Sequence, residues 1–553
     1  MTLKFLEDYL LQNYMKNKVI FRIKQVSWKI WVFVIVIAFG IFLCTFHFSE
    51  YLRFNSDQAR DAGVVRLMAQ EKIFPLLGPI AGGTSFHLGP AFYYFQYIST
   101  ELFGIFPDKM AYPDLLWGIL SILLIYFLIN EYFGKKISLL LSGLYSICFF
   151  AIFYSRFAWN PNAASFFGML FIFSMLKIAK TNDHKKIFWS ILCGISLGIL
   201  VQLHTILLIS AVLSFILSSI IWLKRKFLNF RYWSVIILIA LLLNVSQIIS
   251  EVRTKGANFE AFKSGAETKN KNQSSLPKNI ATAINCQFGS NLKIILPVGN
   301  MGEKADCQFM DSWEYKKLKK SSGVELFGKI ALFVFSFIFS LGGYFFLAWN
   351  FKKETETKKK NFILMISIYI VSIMAIMFLA AQEMSLRYFI MLSFVPFIFL
   401  GFWIELILKA GKFSRLVILI ISLILSVANV WAIKTAFADW SRGGGDMIDG
   451  SSVQVEKISD YIIAGSKNAK KIQIYGSKSN LARFSNRISY FTDEKGIEIV
   501  ELNRSSQIDW LIPLFGIVND SGEDYHIGDF YQFGYISEIK KIDGIIILTI
   551  SEK

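Results

Sequence analysis

The sequence predicts an α-helical protein that crosses a membrane many times and ends in a small α/β domain outside the membrane. Of its 553 residues, 54% are hydrophobic and 54 are phenylalanine, and the mean hydropathy is +0.48. Soluble domains rarely exceed half apolar residues. Apolar segments close to the ~20 residues that a bilayer requires recur along the chain. After Trp440 the composition changes to that of an ordinary soluble domain.

About eleven apolar segments are long enough to be spans. The first begins near Trp28; it is longer than the core of a signal peptide and lacks a small-residue cleavage site, so we expect it to stay uncleaved. The others lie near residues 113–130, 137–155, 162–180, 187–205, 207–222, 233–250, 328–349, 362–381, 388–408 and 414–433.

The connectors between the spans predict the orientation. Lysine and arginine cluster in alternate connectors, at residues 131–136, 177–186, 224–231, 350–361 and 409–415. Because basic loops stay in the cytoplasm, we expect a multi-pass protein of the cell membrane with a cytoplasmic N-terminus. An odd number of spans then puts the C-terminal domain outside. The formal net charge of +18 is explained by topology, and no nucleic-acid partner is predicted.

The chain divides into three predicted parts. Residues 1–27 form a cytoplasmic segment, residues 28–440 a membrane domain with large outer loops at 48–112 and 251–327, and residues 441–553 the extracytoplasmic domain. In that last part, helical spacing over Ser452–Ala464 alternates with short β-branched or aromatic runs such as KIQIYG and GIIILTI. Cys286 and Cys307 share the second outer loop, where they could form a disulfide in an oxidising exterior or stay unpaired.

Polar residues gather at the outer edge of the predicted bundle. A transporter would instead place ionisable groups near the bilayer midplane, where we find only Asn244, Gln247 and Glu405, without an evident pair. The pattern favours an enzyme whose active site opens to the outside. The outer residues with useful chemistry are Asp57, Arg60, Asp61, His87, Arg156, Asn160, His204, Glu251, Glu383 and Arg387.

Five short motifs add a family resemblance. They are SDQARD at 56–61, GTSFHLGP at 83–90, SRFAWNPNA at 155–163, QLHT at 202–205 and RYF at 387–389. Their order over residues 28–410 resembles the GT-C glycosyltransferases, and among them the PMT-like group of protein O-mannosyltransferases and the lipid A aminoarabinose transferase. The resemblance implies transfer of a sugar from a polyprenyl-phosphate donor to a hydroxyl of a glycan, lipid or protein.

The resemblance places the first-loop acid of the family at Asp57. An alcohol is a poor nucleophile until its proton is taken, so we expect Asp57 to act as the base in a single displacement that inverts the anomeric centre. The alternative is that Asp57 caps a short helix over residues 58–70.

Arginine suits the leaving phosphate because its planar fork donates two parallel hydrogen bonds. We expect Arg60, Arg387 and Arg156 to contact it, although Arg387 could also be an interfacial anchor. Residues expected to orient the substrates are Asp61, His87, Asn160, His204 and Glu251.

Several alternatives stay open. The histidines and acids could hold a divalent cation, but no regular ligand spacing occurs, so no metal site and no required cofactor are assigned. Glu251 could pair with Arg253. Asn160 stands before Pro161, where the resembling enzymes usually have an acid, and an amide cannot take a proton at neutral pH. Other candidate functions are a flippase or transporter for the same carrier and a non-catalytic envelope assembly protein.

Overall fold

The computed structural model describes residues 28–271, 275–299, 301, 305–309, 323–380, 384–441, 450–503, 506–519 and 527–552. The predicted cytoplasmic segment 1–27 and Glu383 lie outside these residues. Helices of the first half are α1 Trp28–Thr45, α2 Ser56–Glu71, α3 Ala91–Phe103, α4 Tyr112–Ile129, α5 Lys135–Ser146, α6 Phe149–Tyr154, α7 Ala164–Lys180, α8 Asp183–Leu203, α9 Thr205–Lys224, α10 Phe230–Leu243, α11 Val245–Arg253 and α12 Ala257–Lys271.

The second half continues the bundle and ends in the sheet domain. Its helices are α13 Leu276–Ile295, α14 Gly323–Lys353, α15 Thr357–Ala380, α16 Val395–Leu408, α17 Ser414–Ser441, α18 Ser452–Gly465 and α19 Lys478–Thr492. Its strands are β1 Lys471–Gly476, β2 Glu498–Leu502, β3 Leu514–Asn519, β4 Tyr535–Ile542 and β5 Ile545–Ser551. Short 3-10 helices at Asn160–Ala163 and Leu386–Leu392 precede α7 and α16.

The predicted multi-span helical class is confirmed. Within the described residues, seven helices are long and apolar enough to cross a membrane, or up to nine if each of two bent pairs is one span. The bent pairs are α10 with α11, at 59°, and Leu386–Leu392 with α16, at 68°. The count is below the predicted eleven because the described part of the first span, Ile30–Thr45, forms a shorter apolar helix, and because the segment 137–155 is broken between α5 and α6.

The basic connectors that we expected to be cytoplasmic meet at one end of the bundle. Glu131 pairs with Lys177 at 2.5 Å and with Lys358 at 3.4 Å, so three connectors converge on one carboxylate. Arg225 of a fourth connector donates to Asn361 Oδ1 at 2.8 Å. This arrangement agrees with a shared side for these connectors.

Close helix packing in the bundle uses glycines where a side chain would not fit. Gly194 and Gly198 on α8 face α10, and a Cβ at Gly194 would lie 2.7 Å from the carbonyl oxygen of Ile236. A spacing of four residues puts both glycines on one face, as in the small-residue packing motif of membrane helices. The two backbones can therefore approach closely.

The second outer loop contains a helix that the sequence analysis did not predict. In α13 the residues from Cys286 to Ile295 are buried. Cys148 Sγ donates to Ile294 O at 3.1 Å, and Asn429 Nδ2 donates to Ile295 O at 2.9 Å. The end of α13 is thus enclosed by the bundle, although its composition is that of a solvated loop.

The C-terminal domain is the predicted α/β unit. Its five strands are ordered β2-β1-β3-β5-β4, with β2, β1 and β3 parallel and the last two pairings antiparallel. Ile474, Phe515 and Ile547 from the sheet pack against Ile458 and Phe484 of the two helices. Helix α18 matches the predicted helix, while α19 and β4 were not predicted.

Candidate active site

The helix that carries Asp57 is capped by Asn55, one residue before it begins. Asn55 Oδ1 accepts from the backbone N–H groups of Asp57 at 2.9 Å and Gln58 at 3.2 Å, and Gln58 Oε1 accepts from Asn55 N at 3.0 Å. This reciprocal capping box satisfies the first turn of α2. The alternative that Asp57 is the cap is therefore wrong, and its carboxylate is available for other contacts.

One guanidinium joins two carboxylates of different exposure. Arg60 Nη1 lies 2.9 Å from Asp57 Oδ1, while Nε and Nη2 lie 3.0 and 2.9 Å from Asp61 Oδ1. The Asp57 side chain is 57% exposed and that of Asp61 is 7% exposed. Tyr93 of α3 donates its hydroxyl to Asp61 Oδ1 at 3.0 Å. The four side chains form a group whose one open carboxylate is Asp57.

The two carboxylates of this group differ in electrostatics. Burial raises the pKa of Asp61 to about 6, although Arg60 and the Tyr93 hydroxyl act in the opposite direction. A desolvated carboxylate takes up a proton more readily than an exposed one. Asp61 therefore titrates close to physiological pH.

A second group surrounds Arg387 at the start of the 3-10 helix Leu386–Leu392. Its guanidinium carbon lies 5.6 Å from the centre of the Tyr388 ring. The His204 ring stands nearly perpendicular to Tyr388, with ring centres 6.1 Å apart. His204 Nδ1 also accepts from Ile206 N at 3.1 Å and so caps α9. The structure thus brings His204 and Arg387 to one tyrosine.

Gln202 ties the end of α8 to α3 and α10, and the sequence analysis gave it no role of its own. Its Oε1 accepts from Ala91 N at 3.0 Å, two residues before Tyr93, while its Nε2 donates to Leu243 O at 3.0 Å. Asn160 Nδ2 donates to the carbonyls of Gln202 at 3.2 Å and Leu203 at 2.8 Å. The available signal was QLHT, in which Gln202 stands two residues before His204.

His87 and Glu251 hold outer loops. His87 Nδ1 donates to Gly78 O at 2.8 Å, and its backbone N–H and C=O both bond the Asn258 side chain, at 2.8 and 3.0 Å. Glu251 Oε2 accepts from Phe259 N at 3.4 Å. Both contacts lead to α12; His87 thereby joins the predicted first outer loop to the second, while the contact of Glu251 lies within the second.

Arg156 has a structural position. It is 2% exposed, and its guanidinium donates to three carbonyls at the end of α1, those of Leu43 at 3.0 Å, Cys44 at 2.7 Å and Phe46 at 2.7 Å. The last carbonyls of a helix lack hydrogen-bond donors within the helix, and the Arg156 guanidinium supplies these donors to α1. We correct the expected phosphate role of Arg156 accordingly.

A buried acid that the sequence analysis overlooked supports the Asn160 turn. Asp114 is 3% exposed and interacts with the backbone of Trp159 and the side chain of Asn162. A cavity of about 20 Å³ lies beside it, lined also by Tyr145 and Ser393. Asp114 stands at the start of an apolar run, where it was read as part of a span.

An apolar groove of about 220 Å³ opens between α13, α14, α16 and α17. It is lined by Leu292, Phe335, Phe339, Trp403, Ile404 and Ile421, among others. Phe335 is 52% exposed, so the groove is open along α14.

For metals, the described part of the chain contains no group of three or more His, Cys, Asp or Glu residues that could hold an ion.

The fold and these residues define a multi-span membrane protein with a polar site at one end of its helical bundle. Residues 87–249 match the sequence model of the family described as dolichyl-phosphate-mannose-protein mannosyltransferase. No curated protein matches the chain.

Solved structures of the same fold include ArnT from Cupriavidus metallidurans in the apo state, at 12% identity and a TM-score of 0.52, covering 94% of this chain and 97% of that chain. For ArnT bound to undecaprenyl phosphate the values are 13%, 0.55, 95% and 98%. The apo oligosaccharyltransferase of Archaeoglobus fulgidus gives 13%, 0.52, 92% and 71%.

The predicted resemblance is confirmed: residues 87–249 are similar to the mannosyltransferase family model, and the chain has the fold of ArnT and of the archaeal oligosaccharyltransferase. The likeness in fold extends further than the motifs did, because the match to ArnT covers more of the chain than the membrane domain alone.

Proposed function

We propose that this protein transfers a sugar from a polyprenyl-phosphate-linked donor to an acceptor hydroxyl at the outer face of the membrane. The observation that carries the proposal is the exposed Asp57 carboxylate held by Arg60, beside the buried Asp61. The family match over residues 87–249 and the GT-C fold support sugar transfer as the reaction class. ArnT, which shares this fold, was solved with undecaprenyl phosphate, which supports a lipid-phosphate carrier.

Asp57 acts as the general base in this proposal. Its Oδ1 pairs with Arg60, so we assign the acceptor proton to Oδ2. As the proton moves to Asp57, the hydroxyl oxygen bonds the anomeric carbon, and the bond from that carbon to the phosphate oxygen breaks. The electron pair leaves with the lipid phosphate, and a single displacement inverts the anomeric centre.

Arg60 and Arg387 share the electrostatic work. Arg60 orients Asp57. A guanidinium has five N–H donors, so Arg60 still has donors for a phosphate after it has bonded the two carboxylates. Arg387 lies in the group of Tyr388 and His204. Gln202, two residues before His204, accepts from the first backbone N–H of α3, the helix that carries Tyr93. We assign the leaving phosphate to Arg387, with Arg60 as a second contact, and substrate orientation to Asp61, His204 and Asn160.

The carrier tail has a candidate binding groove. The apolar groove between α13, α14, α16 and α17 is lined mostly by aliphatic side chains, together with Phe335, Phe339 and Trp403. The sequence analysis expected phenylalanine and tyrosine in the outer half of the membrane, such as Phe92, Tyr93, Tyr94 and Tyr97; we now assign the tail to this groove. Its surface suits an isoprenoid chain because burial of apolar area is its main source of affinity.

The decisive variant is Asp57→Asn, which keeps the shape of the side chain but cannot accept the proton. We expect sugar transfer to fall by about 10²–10⁴-fold, the usual contribution of a general base, while donor binding and thermal stability stay near wild type. Glu71→Gln, an exposed acid at the other end of α2, is the matched control and should transfer normally. Full activity of Asp57→Asn would exclude the mechanism.

The assay format separates the enzyme from a carrier flippase. We expect labelled sugar to reach the acceptor in detergent micelles, where no compartments exist. Movement of the carrier that needs sealed vesicles and leaves the sugar bond intact would favour the transporter. If cells in which both Asp57 and Arg60 are replaced show no change in phenotype, a non-catalytic assembly role would be favoured.

A further inference from the structure

The segment Ala305–Phe309 pairs with the residues that lead into Arg387. Leu386 N donates to Ala305 O at 2.9 Å, and Asp306 and Ser385 form an isolated antiparallel bridge. Ser385 and Leu386 are the two residues before Arg387. The backbone position of Arg387 is therefore set from one side by this segment of the second outer loop.

A covalent bond and a buried lysine fix that segment to α13. Cys286 of α13 forms a disulfide with Cys307, which settles the pairing that the sequence left open. About two turns further along α13, Lys293 Nζ donates to Asp306 O at 2.6 Å and to Gln308 O at 2.9 Å. Asn285 Nδ2 also donates to Gln308 Oε1 at 2.8 Å.

The fit between α13 and the segment is tight. A Cβ at Gly289, which lies between the disulfide and Lys293 on α13, would stand 2.1 Å from Cys307 O. Lys293 itself is 6% exposed. Burying an ammonium costs free energy unless hydrogen bonds replace its water, and here two backbone carbonyls replace it. The Lys293 ammonium, bonded to two backbone carbonyls, therefore fixes the path of the segment Ala305–Phe309 along α13.

The other end of the 3-10 helix Leu386–Leu392, which carries Arg387, is also anchored. Ser393, which follows the 3-10 helix Leu386–Leu392, donates its hydroxyl to Ser165 Oγ of α7 at 2.9 Å. The 3-10 helix is therefore held at its start by the segment Ala305–Phe309 and at its end by the membrane bundle. If that segment moves, the end nearest Arg387 moves with it.

We infer that Lys293 and the Cys286–Cys307 disulfide are positioning elements for Arg387: they hold Ala305–Phe309 against α13, and this segment directs the Arg387 guanidinium at the donor phosphate. The inference rests on the phosphate role proposed for Arg387. Neither Lys293 nor the disulfide touches the substrate in this assignment.

The test is Lys293→Met, which keeps the length of the side chain and removes its donors. We expect the KM for the lipid-linked donor to rise between about tenfold and about a hundredfold, the usual effect of disturbing the support of a binding group, with a smaller change in the KM for the acceptor. Lys278→Met, an exposed lysine on the same helix, is the control for the loss of charge and should keep wild-type values.

A double-mutant cycle shows whether Lys293 acts through Arg387. In an Arg387→Gln background, Lys293→Met should add little, because the group it positions is already lost. Independent, multiplicative effects of the two changes would overturn the inference. If Lys293→Met fails to fold, the joint variant Cys286→Ser with Cys307→Ser replaces it in the same cycle, with the same expectation.

The two proposals fail differently. Arg387→Gln with an unchanged donor KM would remove the phosphate role of Arg387 and the inference with it. A raised donor KM in Arg387→Gln, together with wild-type values in Lys293→Met and in the double serine variant, would overturn the positioning role alone.

Discussion

Arg60 lies between an acid that faces solvent and one that does not. Its two contacts with Asp61 and one with Asp57 hold the side chain in one orientation, since the planar fork is rigid. Protonation of Asp61 weakens one side of this arrangement and leaves Arg60 paired mainly with Asp57. The protonation state of a buried residue thus affects the base that we propose.

The raised pKa of Asp61 predicts a pH-dependent stability. Its value of about 6 lies above the ordinary 3.8, so the folded protein favours the protonated acid. The contribution of Asp61 to the free energy of unfolding is fully present below about pH 4. It is lost as the pH rises through about 6, and the loss is on the order of 3 kcal/mol. Asp61→Asn should not show this loss. Thermal unfolding of both proteins in detergent at several pH values checks it, and parallel pH profiles would contradict it.

At the scale of elements, the chain before α3 forms a tight hairpin. Gly78 N donates to Leu88 O at 2.8 Å and Leu88 N to Pro79 O at 2.9 Å, and His87 bonds Gly78 O. A Cβ at Gly78 would lie 2.0 Å from the backbone oxygen of Gly89. Backbone atoms cannot yield as the end of a flexible side chain can, so this position excludes larger residues.

Gly78→Ala should therefore destabilise the hairpin and lower transfer. We expect a loss of about 1–3 kcal/mol, as for other overpacked sites, measured as a lower Tm and a lower kcat. Gly82→Ala in the same loop meets no atom within 4 Å and is the matched control, for which we expect wild-type behaviour. Equal effects of the two changes would mean that the close approach at Gly78 does not matter.

Patterns within one element could be predicted from the sequence, and contacts between distant elements could not. Hydropathy located the spans, and the spacing of Asp57 and Arg60 by three residues put them on one helical face. The sequence analysis gave Asp57 as the alternative cap and did not consider Asn55, since several neighbouring residues here are good cap residues.

The misses share a physical cause. Arg156 has no local sign that its partners are carbonyls more than a hundred residues away. Helix α13 was read as part of a solvated loop because its side chains are polar, but they find partners inside the protein. Gln287 Nε2 donates to Asn291 Oδ1 at 3.2 Å, and Asn291 Nδ2 donates to Ser340 Oγ of α14 at 3.1 Å. A polar composition predicts exposure only when the partners are water.

At the scale of the whole molecule, the C-terminal α/β domain packs directly on the helix that carries Asp57. Arg66 of α2 donates to Tyr490 O and lies 4.5 Å from the centre of that ring. Ser56 Oγ donates to Ala482 O at 3.0 Å, and Phe54 packs on the Tyr490 ring with centres 5.5 Å apart. The position of α2 is therefore supported by both domains.

Arg66→Met should loosen this contact and lower kcat more than it changes donor binding. A hydrogen bond from a charged donor contributes about 1.5–3 kcal/mol, so we also expect a lower Tm. The control is Lys457→Met, which breaks an exposed 3.0 Å ion pair with Asp543 inside the C-terminal domain. A normal kcat in Arg66→Met would show that the base does not depend on this support.

The C-terminal domain enters its fold at the same place where it rests on the membrane domain. Ser452 N donates to Leu52 O at 3.0 Å, and Ser451 forms an isolated bridge with Arg53. Leu52 and Arg53 stand five and four residues before Asp57. Tilting this domain to admit a bulky acceptor would therefore pull on the segment that leads into α2 and Asp57. Entry of the second substrate and alignment of the reacting groups would then be a single mechanical event.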